Sequence, residues 1–217
     1  IFFSLQGEGR HAGMPSVFLR LSGCNRRGRC QGCDTPYALD LKSGQKMGVD
    51  EVLNLIKPDL EKCYRLVVTG GEPLWQPHRE DLITLVESLP VCDVEIETNG
   101  DFEPLETKAK ALLLYTVSPK ISPSMGETRV NKDVLRTFVR ELADFKFVVD
   151  SEDDVHKVLQ LCEEVGIPLF RVFLMPFART KKEYSTNITR VFQWCKQYGL
   201  RLSPRLQIEA FGRRRGI

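Results

Sequence analysis

Three cysteines fall close together at Cys24, Cys30 and Cys33, spaced C-x5-C-x2-C. Thiolates are soft ligands, and three at such short range suit a soft metal ion or an iron–sulfur cluster. Three ligands to a four-iron cluster leave one iron open for a small molecule, whereas structural zinc wants four ligands and a closed shell. Zinc and unligated thiols stand as the alternatives. The chain holds seven cysteines, an odd number, and shows no secretory leader, so a disulfide framework is not expected. A second group is Gly70-Gly71-Glu72-Pro73, where two glycines let a ligand reach the backbone and a proline stops a strand. A third is Gln6-Gly7-Glu8-Gly9, which reads either as a turn or as backbone approaching a ligand beside two polar side chains.

These residues need elements to hold them. The apolar run 16–21 reads as a strand, which puts the cysteines in the loop at its C-terminal end. In parallel α/β proteins chemistry collects at that end. Residues 65–69 read as a second strand, running directly into the glycines. Further strands are expected at 91–97, 112–117, 145–149 and 169–174, with a last extended segment at 200–208. Helices are expected at 49–56 (N-capped by Asp50), 81–89, 132–142, 153–165 (closed by Gly166) and 183–198 (closed by Gly199). Strands alternating with helices predict an α/β fold with a parallel sheet and right-handed crossovers. A closed eight-stranded barrel typically needs ~250 residues. At 217 residues, a partial, open (β/α)6 barrel of the TIM type in one domain, 1–217, fits better.

Composition narrows the function classes. With 42% hydrophobic and 28% charged residues the chain reads as an ordinary soluble domain. A net charge of +2 implies no bulk attraction to nucleic acid, and the basic runs 26–29 and 213–215 read as solvated loop charges. No apolar run approaches the ~20 residues of a membrane span. The cysteines fit a reducing, cytoplasmic setting. Cys63, Cys92, Cys162 and Cys195 fall in or beside apolar segments and read as core thiols. His11, His78 and His156 share no metal-ligand spacing and read as surface or packing residues.

The cysteines at the end of the first strand, followed by Gly70-Gly71-Glu72-Pro73 after the second, resemble the radical S-adenosylmethionine (SAM) enzymes. Further stretches are similar to the 7-carboxy-7-deazaguanine synthase family: Gln6-Gly7-Glu8-Gly9, Arg20, Cys33-Asp34-Thr35, Thr69 before the glycines, Glu97-Thr98-Asn99-Gly100, Ser118-Pro119-Lys120 and the ending 211–217. The five-residue first gap departs from the usual three, and that family varies there. Gly32 stands where an aromatic often lies near the adenine, Met175 near where a Gln-Pro segment touches cofactor in some members, and Gln207 where a family pattern has His.

The resemblance implies a [4Fe–4S] cluster on Cys24, Cys30 and Cys33, and SAM bound by Gly32, Asp34, Gly70, Gly71, Glu72, Ser118, Pro119 and Lys120. It implies a 6-carboxy-5,6,7,8-tetrahydropterin substrate held by Leu5, Gln6, Gly7, Glu8, Arg20, Thr69, Gln207 and Ile217. Arg20 would supply a cationic fork for the substrate carboxylate. Magnesium tolerates few protein ligands, and the Thr35 hydroxyl is a candidate for one, or else a cap of the turn after the cysteines. The implied reaction is a radical ring contraction with loss of ammonia, in queuosine or archaeosine synthesis. A homodimer and an electron donor such as flavodoxin or ferredoxin are implied, with no direct nucleic-acid or membrane partner. The competing readings are a radical SAM activase acting on a partner protein and a zinc-stabilised binding module.

Overall fold

The computed structural model describes every residue except 28, 31, 127–128, 213 and 215–217. Eight strands form one sheet in chain order: β1 (Phe2–Leu5), β2 (Pro15–Leu21), β3 (Arg65–Gly70), β4 (Asp93–Thr98), β5 (Leu112–Val117), β6 (Asp144–Val149), β7 (Val172–Pro176) and β8 (Arg201–Leu202). β1 pairs antiparallel with β2, and every later neighbour is parallel. The sheet is not closed by strand pairing, since β1 and β8 are its two ends. Helices α1 (Val49–Cys63), α2 (Gln76–Ser88), α3 (Lys132–Arg140), α4 (Glu152–Val165) and α5 (Lys181–Tyr198) carry the crossovers. The β4–β5 connection has no helix. This is the open α/β barrel that the alternation predicts.

Strand alternation decides where the core lies. Val17 and Leu19, Leu66 and Val68, Val94 and Ile96, Phe145 and Phe147, and Val172 and Leu174 all join one buried apolar cluster with the helices. Because side chains alternate across a strand, their neighbours point to the concave side. Those neighbours include the polar Arg20, Arg65, Thr69, Glu95, Glu97 and Lys146 together with the apolar Phe18, Val67, Val148 and Phe173. The main apolar core therefore sits between sheet and helices, and the barrel interior sets charged side chains among apolar ones. Burying Phe138, Phe145 or Phe147, each fully enclosed, contributes about 1.5–3 kcal/mol of transfer free energy.

Several boundaries differ from the sequence reading for local reasons. α1 runs through Pro58 because Ile56 and Leu60, four residues apart, are both buried while Pro58 is exposed. Its N-cap is Gly48, and Asp50 lies in the first turn. Capping boxes at Ser151/Asp154 and Thr180/Glu183 start α4 and α5 one and two residues early. The segment read as extended to 208 ends its strand at Leu202, and α6 (Leu206–Phe211) follows.

Candidate active site

Cys24, Cys30 and Cys33 are free thiols facing one cavity of about 550 Å3. Small-molecule sites span about 300–1,000 Å3. The cavity occupies the barrel interior and reaches the C-terminal ends of β2, β3 and β5, with Arg20, Gly70, Gly71, Ser118 and Lys120 on its lining.

The cysteine loop is held from both sides. Gly23 N–H donates to Ala38 C=O (2.8 Å) and Cys24 N–H to Leu39 C=O (3.2 Å). From the long first gap, Asn25 Nδ2 donates to Asp101 (2.7 Å), and Arg26 reaches the same carboxylate through Nε (2.7 Å) and Nη2 (2.5 Å). Arg26 Nη2 also donates to Arg129 C=O (2.6 Å). Arg26 is buried, which corrects the expectation of a solvated charge: the first gap carries an anchor to the β4–β5 connection. Burial pushes the Cys24 thiol up to about 11, against the Arg26 N–H that donates to its sulfur at 3.4 Å.

The two glycines after β3 serve the chain's own backbone as well as the cavity. A Cβ on Gly71 would lie 1.9 Å from Gly23 O, and one on Gly70, at φ +143°, 2.1 Å from Leu21 O. That closeness lets Gly71 N–H donate to Leu21 C=O (3.0 Å) and Glu72 N–H to Gly23 C=O (2.9 Å), fixing the start of the cysteine loop. Glu72 does not line the cavity. Its buried carboxylate accepts from Thr98 Oγ1 (2.7 Å), Asn99 N–H (2.7 Å) and Leu74 N–H (3.1 Å), and so ties the glycine loop to Thr98-Asn99. Burial pushes it up to about 7 against those three donors. Pro119 is buried beside the lining rather than on it. Lys120 Nζ donates to Ser118 C=O (2.6 Å) and Ser118 Oγ (2.9 Å), and burial lowers its pKa.

The space at Gly32 is already filled. A Cβ there would meet Met125 Sδ at 2.7 Å and the Phe177 ring at 2.8 Å, so an aromatic from the β7–α5 connection lies against this position. Met175 lines the cavity below it. Thr35 also lines the cavity; it precedes a 3-10 turn at Pro36–Ala38 but makes no side-chain capping bond, and its hydroxyl lies 3.7 Å from Cys33 Sγ.

The opposite wall comes from the β1–β2 connection. Leu5, Gln6, Gly7 and Glu8 all line the cavity, and the connection joins the chain after β8: Gly9 N–H donates to Ser203 Oγ (2.8 Å) and Leu206 N–H to Gly7 C=O (3.0 Å). These contacts bridge the two ends of the open sheet. Glu8 accepts from Lys146 Nζ (2.7 Å), Gln207 Nε2 (2.7 Å) and Arg205 Nε (3.2 Å). Burial raises its pKa, but Lys146 and Arg205 outweigh that and hold the carboxyl at about 2. Gln6 Nε2 (3.2 Å) and Thr69 Oγ1 (2.7 Å) both donate to Glu97. Next to this wall, Arg65 is paired with Glu95, and its Nη2 lies 2.6 Å from His11 Nδ1. Arginine only donates, so that histidine nitrogen accepts. His11 is therefore part of the buried polar interior rather than of the surface. Asp34, beside Cys33, is paired with Arg205.

Glu97, Lys146 and Arg205 were not read as site residues from sequence. The first two carry a signal, since each is a charged residue alternating with apolar ones in a strand, and Arg205 has none. Ile217 lies outside the described residues; of the ending, Gly212 and Arg214 reach the cavity lining.

The donor set fits a cluster bound at three points. Three free thiols line one cavity, the ligand number that leaves one iron of a four-iron cluster open, whereas structural zinc takes four ligands. Among the described residues no helix is long and apolar enough to cross a membrane.

Comparison with known proteins points the same way. The Radical SAM superfamily model matches residues 19–183. The 7-carboxy-7-deazaguanine synthase of Pyrobaculum aerophilum is 40% identical, covering 100% of this chain and 95% of that protein. That of Hyperthermus butylicus is 37% identical, covering 96% and 89%. The solved structure of QueE from Escherichia coli superposes with a TM-score of 0.66 at 25% identity, covering 93% of this chain and 90% of that one. Streptococcus suis SuiB bound to S-adenosylmethionine shares the fold alone, with a TM-score of 0.59 at 12% identity, covering 86% of this chain and 49% of that one. With three free cysteines lining the cavity of an open barrel, and relatives matched along its whole length, this chain belongs to the 7-carboxy-7-deazaguanine synthase family of radical SAM enzymes.

Proposed function

We propose that the cavity contracts 6-carboxy-5,6,7,8-tetrahydropterin to 7-carboxy-7-deazaguanine with release of ammonia, for queuosine-type or archaeosine nucleosides. One observation carries the substrate assignment. Among the described residues the Arg20 guanidinium makes no hydrogen bond or ion pair, yet it lines the cavity that holds the three free thiols. A half-buried cation without a protein partner on a cavity wall is matched by an anionic ligand, and a planar fork suits a carboxylate.

Cys24, Cys30 and Cys33 would hold the [4Fe–4S] cluster, and Gly70, Gly71, Ser118 and Lys120 would contact SAM, with Gly32 and Asp34 beside Cys33. When bound, that pair supplies the 5′-deoxyadenosyl radical that takes hydrogen from C6 of the pterin. Leu5, Gln6, Gly7, Thr69 and Gln207 would orient the flat ring along the opposite wall. Glu8, already ionised and paired, would shape that wall rather than exchange a proton. We assign Glu72 and Pro119 to holding the cofactor loops in place, because neither lines the cavity.

Thr35 would offer magnesium a hard oxygen, which its missing capping bond supports. Thr35→Ala should then blunt the magnesium stimulation of turnover at unchanged iron content, and superimposable magnesium curves would reject the role. The reading includes a one-electron donor such as flavodoxin or ferredoxin. It also includes a homodimer, supported by Phe3, exposed on the edge strand β1.

The experiment is anaerobic turnover with pterin deuterated at C6. The reading predicts deuterium in 5′-deoxyadenosine together with the deazapurine carboxylate. Cofactor cleavage that leaves the pterin intact would reject it.

A further inference from the structure

Arg205 follows β8 and belongs to neither the cysteine loop nor the glycine loop, yet the residue is 4% exposed and its guanidinium is engaged on every nitrogen. Nε donates to Glu8 (3.2 Å), Nη1 to Ala178 C=O (2.6 Å), and Nη2 to Asp34. The three partners lie on three separate segments: the β1–β2 connection, the residue after Cys33, and the β7–α5 connection. All three line the same cavity. The Arg205 backbone is fixed in turn, its N–H donating to the Tyr184 hydroxyl of α5 at 3.1 Å.

A guanidinium is a rigid plane, so partners held at its three nitrogens are held at a set spacing from one another. We infer that Arg205 is a positioning residue that sets the distance between the cluster-bearing loop, through Asp34, and the substrate-bearing wall, through Glu8. The inference rests on the functional reading above. It gives Arg205 a specific consequence: the spacing governs how much cofactor cleavage is spent on substrate rather than wasted. Reacting atoms must meet within a narrow range, and a misplacement of ~1 Å costs about 10²-fold. Glu8 keeps Lys146 and Gln207 when Arg205 is removed, whereas among the hydrogen bonds and ion pairs described for Asp34, Arg205 is its side-chain partner. The cysteine loop is therefore the side that shifts.

The test compares wild type, Arg205→Lys, Arg205→Gln and Asp34→Asn. Two quantities are read: amide hydrogen exchange of the apoproteins, and the ratio of 5′-deoxyadenosine to deazapurine product in the reconstituted enzymes at matched iron content. Exchange should speed up roughly tenfold over residues 32–39 while α4 is unchanged, and the ratio should rise by about the same factor, well inside the ~10²-fold bound above. Arg205→Lys, which keeps the charge but not the fork, should not restore the ratio. Exchange that rises uniformly, α4 included, or a ratio equal to wild type, would reduce Arg205 to a structural residue and overturn the inference. Should both Arg205 variants fail to fold, Asp34→Asn decides alone, since Asp34 is exposed. A wild type that cleaves cofactor but makes no deazapurine overturns the functional reading and this inference together. A coupled wild type with equally coupled variants overturns this inference alone.

Discussion

Two regions line one cavity and treat their charges in opposite ways. On the wall, Glu8 meets Lys146, Arg205 and Gln207, while Glu97 receives Gln6 and Thr69. Each of these side chains has a protein partner, although Gln207 Oε1 is buried without one. On the rim, Arg20 has none among the described residues, and no disulfide joins the three thiols. A polar network specifies one arrangement as far as its members are satisfied, and a half-buried charge without a protein partner is left to pair with a ligand. The wall is thus a preorganised surface, and the rim is the part of the site that ligands complete. Substitutions on the wall should therefore act first on stability, and substitutions on the rim on ligand loading and affinity.

The largest effect expected is on the rim. Cys24→Ala, Cys30→Ala or Cys33→Ala should each abolish iron incorporation and cofactor cleavage while the apoprotein melts as wild type does. Cys162→Ala and Cys195→Ala, which open buried positions in the apolar cluster, should do the reverse and lower the melting temperature at full iron content. Full iron in any of the first three variants would break the distinction.

On the wall, Glu8→Gln leaves Lys146 and Arg205 facing a neutral group. The Glu8 pKa is lowered from 4.5 to about 2, so its contribution is complete above pH 4.5 and is lost as pH falls toward 2. A shift of that size corresponds to roughly 3 kcal/mol. Urea unfolding of the apoproteins should show wild type ahead by about that amount at pH 7, with the gap narrowing below pH 4.5 and closing as pH falls toward 2. A gap that does not change with pH would mean that the pairing, and hence the wall, contributes nothing of the kind.

The rim was legible in the sequence because it is made of local motifs. Cys24 to Thr35, and Gly70 to Glu72, carry their chemistry in consecutive residues at strand ends. What the motifs do mechanically was less legible. The glycines admit the Leu21–Gly23 backbone, and Glu72 braces a neighbouring loop, because both facts depend on how two loops stack. The wall was half hidden. Gln6 to Glu8 was visible as a motif, but its partners lie 138 residues away in Lys146 and 197 away in Arg205. Lys146, Glu95 and Glu97 become readable once the alternation in β4 and β6 is taken as apolar outward and polar inward, the reverse of the usual sense for a packed barrel interior. The short α6 was missed because six residues after Pro204 show too little periodicity to separate a helix from an extended tail.

The most direct test of the central claim is the binding of carboxytetrahydropterin to reconstituted Arg20→Lys beside wild type. An ammonium cannot reproduce a two-point contact with a carboxylate. Loss of one charge-assisted hydrogen bond costs about 1.5–3 kcal/mol, roughly ten- to a hundredfold in affinity. The account predicts that weakening, with the urea midpoint of the apoprotein unchanged because Arg20 has no described protein partner to lose. An unchanged substrate constant, or a weakened one accompanied by an equal loss of apoprotein stability, would contradict it.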